Sequence, residues 1–320
     1  MDATRKHEKY DALIAACHEL APLRTAVVHP CDEISLSAAV AAANAKLIQP
    51  VLVGPAARIR ALAVSLQLDL TGLQLIDTPH SHATAEKAVA MVRAGEADAL
   101  MKGSLHTDEL MTEVVRKETG IRTERRISHV FLMDVPTYAK ALLITDGGVN
   151  IFPSLEDKVD IVQNAIDLAH ALGLACPKVA ILSAVETITS KIPSTIHAAA
   201  LCKMADRGQI TGAILDGPLA LDNAINRDAA SVKHIHSLVA GDADILIAPD
   251  LEAGNLLAKE LSFLAGADAA GIVLGARVPI ILTSRADNIR THLASCAVAA
   301  LYVRAQSAIA LAKAQADAKP

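Results

Sequence analysis

Five short polar clusters carry the side chains with the means to do chemistry. Lys102-Gly-Ser-Leu-His-Thr107 brings together an ammonium, two hydroxyls and a glycine-loosened backbone. That set suits a phosphate group, more so if a helix begins near Thr107 and turns its N–H groups on the anion. The competing reading is structural: Thr107 caps the helix, and Glu109 and Glu113 are ordinary early-helix acids. Arg122, Arg125 and Arg126 precede the apolar run Val130–Met133. A guanidinium fork donates two hydrogen bonds at once and so fits phosphate, although pairing with Glu118 and Glu124 on a solvated turn accounts for any one of them. Ser284, Arg285 and Asp287 follow the very apolar Val278–Leu282. They supply a hydroxyl donor, a cation and a carboxylate able to act as base, while Ser284 or Asp287 could equally cap the next helix.

Besides Lys102–Thr107 and Ser284–Asp287, the five clusters comprise Thr145-Asp-Gly-Gly-Val-Asn150, Asp216-Gly-Pro-Leu219 and Pro249-Asp-Leu-Glu-Ala-Gly-Asn255, with the arginine turn standing apart from them. His106 and His129 lie in polar surroundings of this kind and are better site candidates than the pairs His80/His82 and His234/His236. Those pairs have a spacing that could ligate metal from a strand, but nothing completes a coordination set. Cys31 and Cys202 have no activating pattern beside them. The chain contains no G-x-G-x-x-G, G-x-x-x-x-G-K-[ST], H-E-x-x-H or G-x-S-x-G, which removes support for Rossmann-type dinucleotide binding, P-loop, zincin and hydrolase-elbow chemistry.

Each cluster follows a run that reads as a strand. Such runs occur at Thr25–Val28, Pro50–Val53, Leu73–Ile76, Ala99–Met101, His129–Met133, Ala141–Thr145, Lys178–Leu182, Gly212–Leu215, Ile245–Ala248, Ala269–Leu274 and Pro279–Leu282. Between them, Ser35–Ala45, Ala83–Ala94, Leu155–Leu172, Ser194–Arg207 and Gly254–Leu264 repeat apolar residues every three or four positions. The alternation predicts an α/β fold of mostly parallel sheets flanked by helices. The short connection Asp134–Lys140 predicts a hairpin. In such sheets ligands sit just beyond the carboxyl ends of the strands, where all five clusters fall.

With 320 residues the chain exceeds the size at which a single core stops growing, about 250–300 residues, so two domains are expected. No Pro/Gly/Ser-rich linker separates them, which implies strands crossing directly and a cleft at the junction. Hydrophobic residues make up 52% and aromatics 2%, so the interior is aliphatic and offers few rings for stacking nucleic-acid bases. A net charge of −5 gives no basic stripe for nucleic acid either. The five scattered cysteines suit free thiols in a reducing compartment. No stretch approaches about 18 uninterrupted apolar residues. The expectation is a cytoplasmic protein with neither membrane nor nucleic-acid partner.

Taken together and in order, the Met101–Thr107, Thr145–Pro153, Asp216–Leu219 with Asp222, Pro249–Asn255 and Ser284–Asp287 segments resemble the phosphate acetyltransferase/phosphate butyryltransferase family, over about Arg24 to Arg304. The resemblance implies a two-domain fold similar to the isocitrate/isopropylmalate dehydrogenases. Residues 1–130 and 273–320 would form the first domain and 131–272 an inserted second one, with the active site in the cleft. It also implies a homodimer that converts acyl-CoA and phosphate to acyl phosphate and CoA, with coenzyme A as substrate and no cofactor or metal. Ser284 and Arg285 match the family's Ser-Arg pair. The Asp proposed as base in the acetyl branch would fall on Thr291, which leaves Asp287 as the nearest carboxylate, and Arg126 matches a phosphate-binding arginine. The roles that follow are Asp287 as base, Ser284 as oxyanion donor and Arg285 as clamp. Lys102, Ser104, Thr107 and Arg126 would hold phosphate, with His129, Asn150, Asp216 and Asn255 lining the substrate site. The acyl chain is expected to be acetyl, with butyryl as the alternative. Two readings of another class stand beside it: a metal-dependent decarboxylating dehydrogenase using Asp216, Asp222 and Asp250, and a non-catalytic CoA-binding protein.

Overall fold

The computed structural model describes residues 8–283 and 288–317. In chain order it opens with α1 (Glu8–Ala15), β1 (Leu23–Val28), α2 (Glu33–Asn44), β2 (Ile48–Gly54), α3 (Ala56–Ser65), β3 (Gln74–Asp77), α4 (Ser81–Arg93), β4 (Ala99–Lys102) and α5 (Thr107–Val115). It continues with β5 (Ser128–Asp134), β6 (Leu142–Thr145), α6 (Leu155–Ala171), β7 (Lys178–Leu182), α7 (Pro193–Asp206), β8 (Ile214–Leu219), α8 (Leu221–Ile225), α9 (Arg227–Val232), β9 (Ile245–Ile247) and α10 (Leu251–Phe263). It closes with β10 (Asp268–Leu274), β11 (Ile280–Ile281) and α11 (Ile289–Asp317). Two compact units result, one from residues 10–125 and 270–320, the other centred on 126–269.

In the first unit the strand order is β3-β2-β1-β4-β11-β10. All neighbours are parallel except β10 and β11. Parallel strands covered on both faces must be apolar throughout, and Ala26, Val27, Val28, Leu100, Met101, Ile280 and Ile281 are all 0% exposed. The register places Val28 opposite Lys102 and Met101 opposite Ile281, so the carboxyl ends of β1, β4 and β11 lie side by side. Asp32 caps α2 by accepting the Ser35 N–H at 2.8 Å, and Ala38, Ala39 and Ala42 bury that helix closely. α11 is 29 residues long. By length and composition it could cross a bilayer, yet Ala294, Cys296, Ala297, Val298 and Ala299 are core residues of this unit. Asn288 caps α11, its Oδ1 accepting the Thr291 N–H at 2.9 Å.

The second unit orders its strands β5-β6-β9-β7-β8. The hairpin pairs Val130 with Thr145 and Met133 with Leu142, and the other pairs are parallel. Its core is aliphatic, built on Met133, Leu142, Ile144, Ala180 and Leu246. β8 corrects one expectation. The strand starts at Ile214 and runs through Asp216-Gly-Pro to Leu219, so this cluster lies within a strand rather than beyond one. An edge strand tolerates Pro because its missing N–H is not needed by an outer neighbour.

Candidate active site

In the first unit the loops after β1 and β4 are stitched together. The Gly103 N–H donates to Val28 O at 2.8 Å, and the Ser104 N–H to His29 O at 2.9 Å. A Cβ on Gly103 would sit 2.5 Å from the carbonyl oxygens of both Val28 and His29, so only glycine allows this approach. Lys102, which ends β4, is 7% exposed and donates to Gly103 O at 3.2 Å. The Ser104 hydroxyl donates to His29 O at 2.9 Å and accepts the Cys31 N–H at 3.3 Å; it therefore shapes the loop.

α5 does begin at Thr107, but its N-cap is His106 rather than Thr107. The helix has no side-chain cap of the Thr kind because Glu109 reaches back instead, accepting the His106 N–H at 3.0 Å. Glu109 also accepts from the Ser81 hydroxyl at 3.0 Å and lies 3.3 Å from His82 Nε2. With Asp108 and Glu109 in its first turn, the helix start already carries negative charge.

The third strand end of this unit leads through the buried Thr283. Ser284, Arg285 and Asp287 lie outside the described residues. Asn288 caps α11, the role that the sequence left open between Ser284 and Asp287.

In the second unit a buried carboxylate organises the loop after β6. Asp146 accepts the N–H groups of Gly148 at 2.8 Å, Val149 at 3.0 Å and Asn150 at 3.1 Å, and also the Asn150 amide. Asn150, 3% exposed, donates to Ile127 O at 2.8 Å and accepts from Arg126 Nε at 2.7 Å. Arg126 Nη1 lies 3.4 Å from Asp157, and its backbone N–H donates to Asp160 at 2.7 Å. One face of the guanidinium is thus held, and Nη2 has no partner among the described residues. Asn255 donates to Gly147 O at 2.9 Å and clamps the same loop. His129 is 2% exposed and meets Phe131 edge-on, ring centroids 4.3 Å apart.

Asp216 accepts its neighbour Gly217 N–H at 2.8 Å and faces Cys202, whose thiol is pushed up to about 12 by burial and then by Asp216. Asp222 pairs with Lys233 at 3.5 Å, and Asp250 caps α10 by accepting the Ala253 N–H at 2.9 Å. The three aspartates named as a metal set are therefore committed separately. Among the described residues, no three His, Cys, Asp or Glu side chains converge as a metal site. A cavity of about 600 Å³ opens in the first unit against Arg24, Gln49, Asp98 and Arg304, at the amino ends of β1, β2 and β4, away from the polar loops.

Lys158 and His292 are among the buried titratable groups that escaped the sequence reading. Lys158 is 4% exposed, with Nζ 3.2 Å from His197 Nδ1; His292 is 3% exposed. The signal was present for Lys158, which shares the inward stripe of α6 with Ile161, Val162 and Ala165.

The pattern of the phosphate acetyl/butaryl transferase family matches residues 79–300. The chain belongs to this family. A phosphate acetyltransferase of Rhizobium meliloti is 64% identical over 304 residues, covering 95% of this chain and 96% of that protein. A phosphate butyryltransferase of Clostridium beijerinckii is 39% identical, covering 92% and 97%. Among solved structures, a branched-chain phosphotransacylase from Enterococcus faecalis superposes with a TM-score of 0.75 at 29% identity, covering 88% of this chain and 99% of that one. For this transferase family, the polar strand ends described above are the natural places for anionic substrates.

Proposed function

We propose that this member of the family transfers an acetyl group between coenzyme A and inorganic phosphate, acetyl-CoA + phosphate giving acetyl phosphate + CoA, directly in a ternary complex. The 64% identity to a phosphate acetyltransferase carries the reading. The forward step breaks the thioester as phosphate oxygen attacks the acyl carbon, and CoA leaves as thiolate to be protonated. In reverse, the CoA thiol must lose its proton from a pKa of about 8.5 before attacking acetyl phosphate.

Most of the barrier reduction comes from alignment, for which effective molarities of about 10⁵ M or more are attainable. Asp287 serves as base, Ser284 donates to the tetrahedral oxyanion and Arg285 clamps the thiolate or phosphate. Lys102, Ser104, Thr107 and Arg126 are assigned to phosphate. Asn150 keeps Arg126 in place, Asn255 shapes its loop, and His129 and Asp216 line the substrate site. No metal or cofactor is required by this scheme. Five cysteines without disulfides favour work in the cytoplasm, and the family resemblance favours a homodimer.

The test is thiol release from acetyl-, propionyl- and butyryl-CoA with phosphate. The highest kcat/KM is expected with acetyl-CoA. A preference for butyryl-CoA would move the protein to the other branch, and tight CoA binding without thiol release would leave a binding protein. One methylene contributes about 1–3 kcal/mol of discrimination, so the contrast should be tenfold or more.

A further inference from the structure

The loop that holds Arg126 also carries two exposed apolar side chains. Asn150 accepts from Arg126 Nε at 2.7 Å, and Asp157 lies 3.4 Å from Nη1. The segment between them, 151–156, is therefore closed on the guanidinium at both ends. Within it Ile151 is 61% and Phe152 79% exposed. Phe152 follows Asn150 by two residues, so their Cα atoms are no more than about 7 Å apart. The exposure does not come from a loose chain. Asp146 accepts the backbone N–H groups of Gly148, Val149 and Asn150, and the Leu251 N–H donates to Ile151 O at 3.2 Å. Pro153 is buried, and Ser154 exchanges hydrogen bonds with Asp157 at 3.0 and 3.1 Å. A braced loop thus keeps a phenyl ring in water, in a chain with three Phe, three Tyr and no Trp. It presents the ring without any further cost of ordering. Phe263 is similarly exposed at 77%, but it ends α10, about 18 Å along the helix from Leu251.

The substrate supplies a reason for this arrangement. In an acyl phosphate one bridging oxygen joins the acyl carbon to phosphorus, so a phosphate gripped by Arg126 brings the acyl chain within a few bond lengths of the same loop. Ligand sites pair a few placed polar groups with apolar walls of this kind. We propose that Phe152, seated beside Ile151, is the apolar limit that the acyl chain meets, and that its ring occupies the space into which a chain longer than acetyl would extend. This rests on the acyltransferase reading and on the assignment of Arg126 to phosphate. It makes Phe152 a specificity-determining residue, with no part in proton transfer or charge stabilisation.

The experiment measures kcat/KM for acetyl-, propionyl- and butyryl-CoA with phosphate in the full-length protein, Phe152→Ala and Phe152→Leu, with the oligomeric state of each from light scattering. One methylene in an apolar pocket changes kcat/KM by about 10–200-fold. Removing the ring should therefore raise the butyryl-to-acetyl ratio by about tenfold or more, with Phe152→Leu falling between. A ratio that is unchanged or lower in Phe152→Ala overturns the proposal. An equal loss with all three substrates also overturns it, since the substitution would then have loosened the Arg126 loop. So does a changed oligomeric state with an unmoved ratio, which would give the ring to a contact between copies of the chain. Should Phe152→Ala fail to fold, the direction of the same ratio in Phe152→Leu decides. Wild-type protein that releases thiol from none of the three defeats the reading of the function itself. An active wild type with an unmoved ratio in the variants defeats only the role of Phe152.

Discussion

Arg126 Nε donates to the Asn150 side-chain oxygen at 2.7 Å, and Asn150 is itself held by Ile127 O and by the buried carboxylate of Asp146. A flexible cation is thereby converted into a directed one. Hydrogen bonds to a charged group contribute about 1.5–3 kcal/mol. Arg126→Ala should therefore raise KM for phosphate by tenfold to about a hundredfold, with little change in Tm because the side chain is exposed. Asn150→Ala should raise the same KM and also lower Tm by roughly 4–8 °C, since about 2 kcal/mol of buried hydrogen bonding is lost. Steady-state kinetics and thermal melts of both variants check this, and an unchanged phosphate KM in Arg126→Ala removes Arg126 from the site.

Gly103 is the second vulnerable point. Its missing side chain lets the Lys102 loop approach the carbonyls of Val28 and His29, where a Cβ would be 2.5 Å from each. Overpacking against rigid backbone costs about 1–3 kcal/mol. Gly103→Ala should lower Tm by several degrees and displace Lys102, reducing activity at least tenfold. A variant with wild-type Tm and turnover would show that the loop yields easily and that its geometry is not needed.

Much of the fold was legible because its strands are apolar on both faces. Lys178–Leu182 coincides with β7 to the residue, and the hairpin around Asp134–Lys140 formed as its short connection required. The run Gly212–Leu215 was placed too early because Asp216-Gly-Pro reads as a turn, whereas an edge strand accommodates Pro218. α3 carried no usable signal: only Ala56, Ile59 and Ala63 are buried, and Arg58 and Arg60 interrupt the pattern. Among the candidate site residues, residue type pointed to Lys102 and to the group Arg122, Arg125 and Arg126 as phosphate candidates, and the family resemblance singled out Arg126. Their partners were not readable, since Asn150 lies 24 positions from Arg126 and His29 lies far from Ser104. The caps at His106 and Asn288 were missed because neighbouring Thr107 and Asp287 have equal or better capping chemistry. His292 stayed hidden since no spacing distinguishes a buried imidazole from a solvated one.

Arg285 is the severest test of the proposed chemistry. One preorganised donor to a developing charge contributes about 2.7–4 kcal/mol. Arg285→Ala should therefore lower kcat by about a hundredfold or more while moving Tm by no more than about 2 °C. Wild-type turnover in this variant would place the reacting groups elsewhere.

The separate commitments of Asp216, Asp222 and Asp250 make a second prediction about cofactors. Prolonged incubation with EDTA, followed by desalting, should leave thiol release at its starting rate. Loss of activity that a divalent cation restores would instead favour the dehydrogenase-like reading, in which those aspartates hold a metal.

Lys158 gives a pH-dependent prediction of the opposite character, because here substitution should stabilise. Its ammonium is 4% exposed, and burial lowers its pKa from 10.5, with Asp250 only partly opposing that. A base with a lowered pKa in the folded state makes folding less favourable wherever the unfolded chain holds the proton more tightly. That penalty is complete at neutral pH, shrinks as pH rises through the lowered value, and vanishes above about 10.5, where neither state is protonated. Lys158→Met keeps the aliphatic stem and removes the charge. It should raise Tm at pH 7 by about 2–4 °C for each kcal/mol recovered, and the gain should diminish in melts taken towards pH 10.5. A lower Tm at pH 7 would mean that the Lys158–His197 contact, 3.2 Å long, outweighs the cost of burying the ammonium.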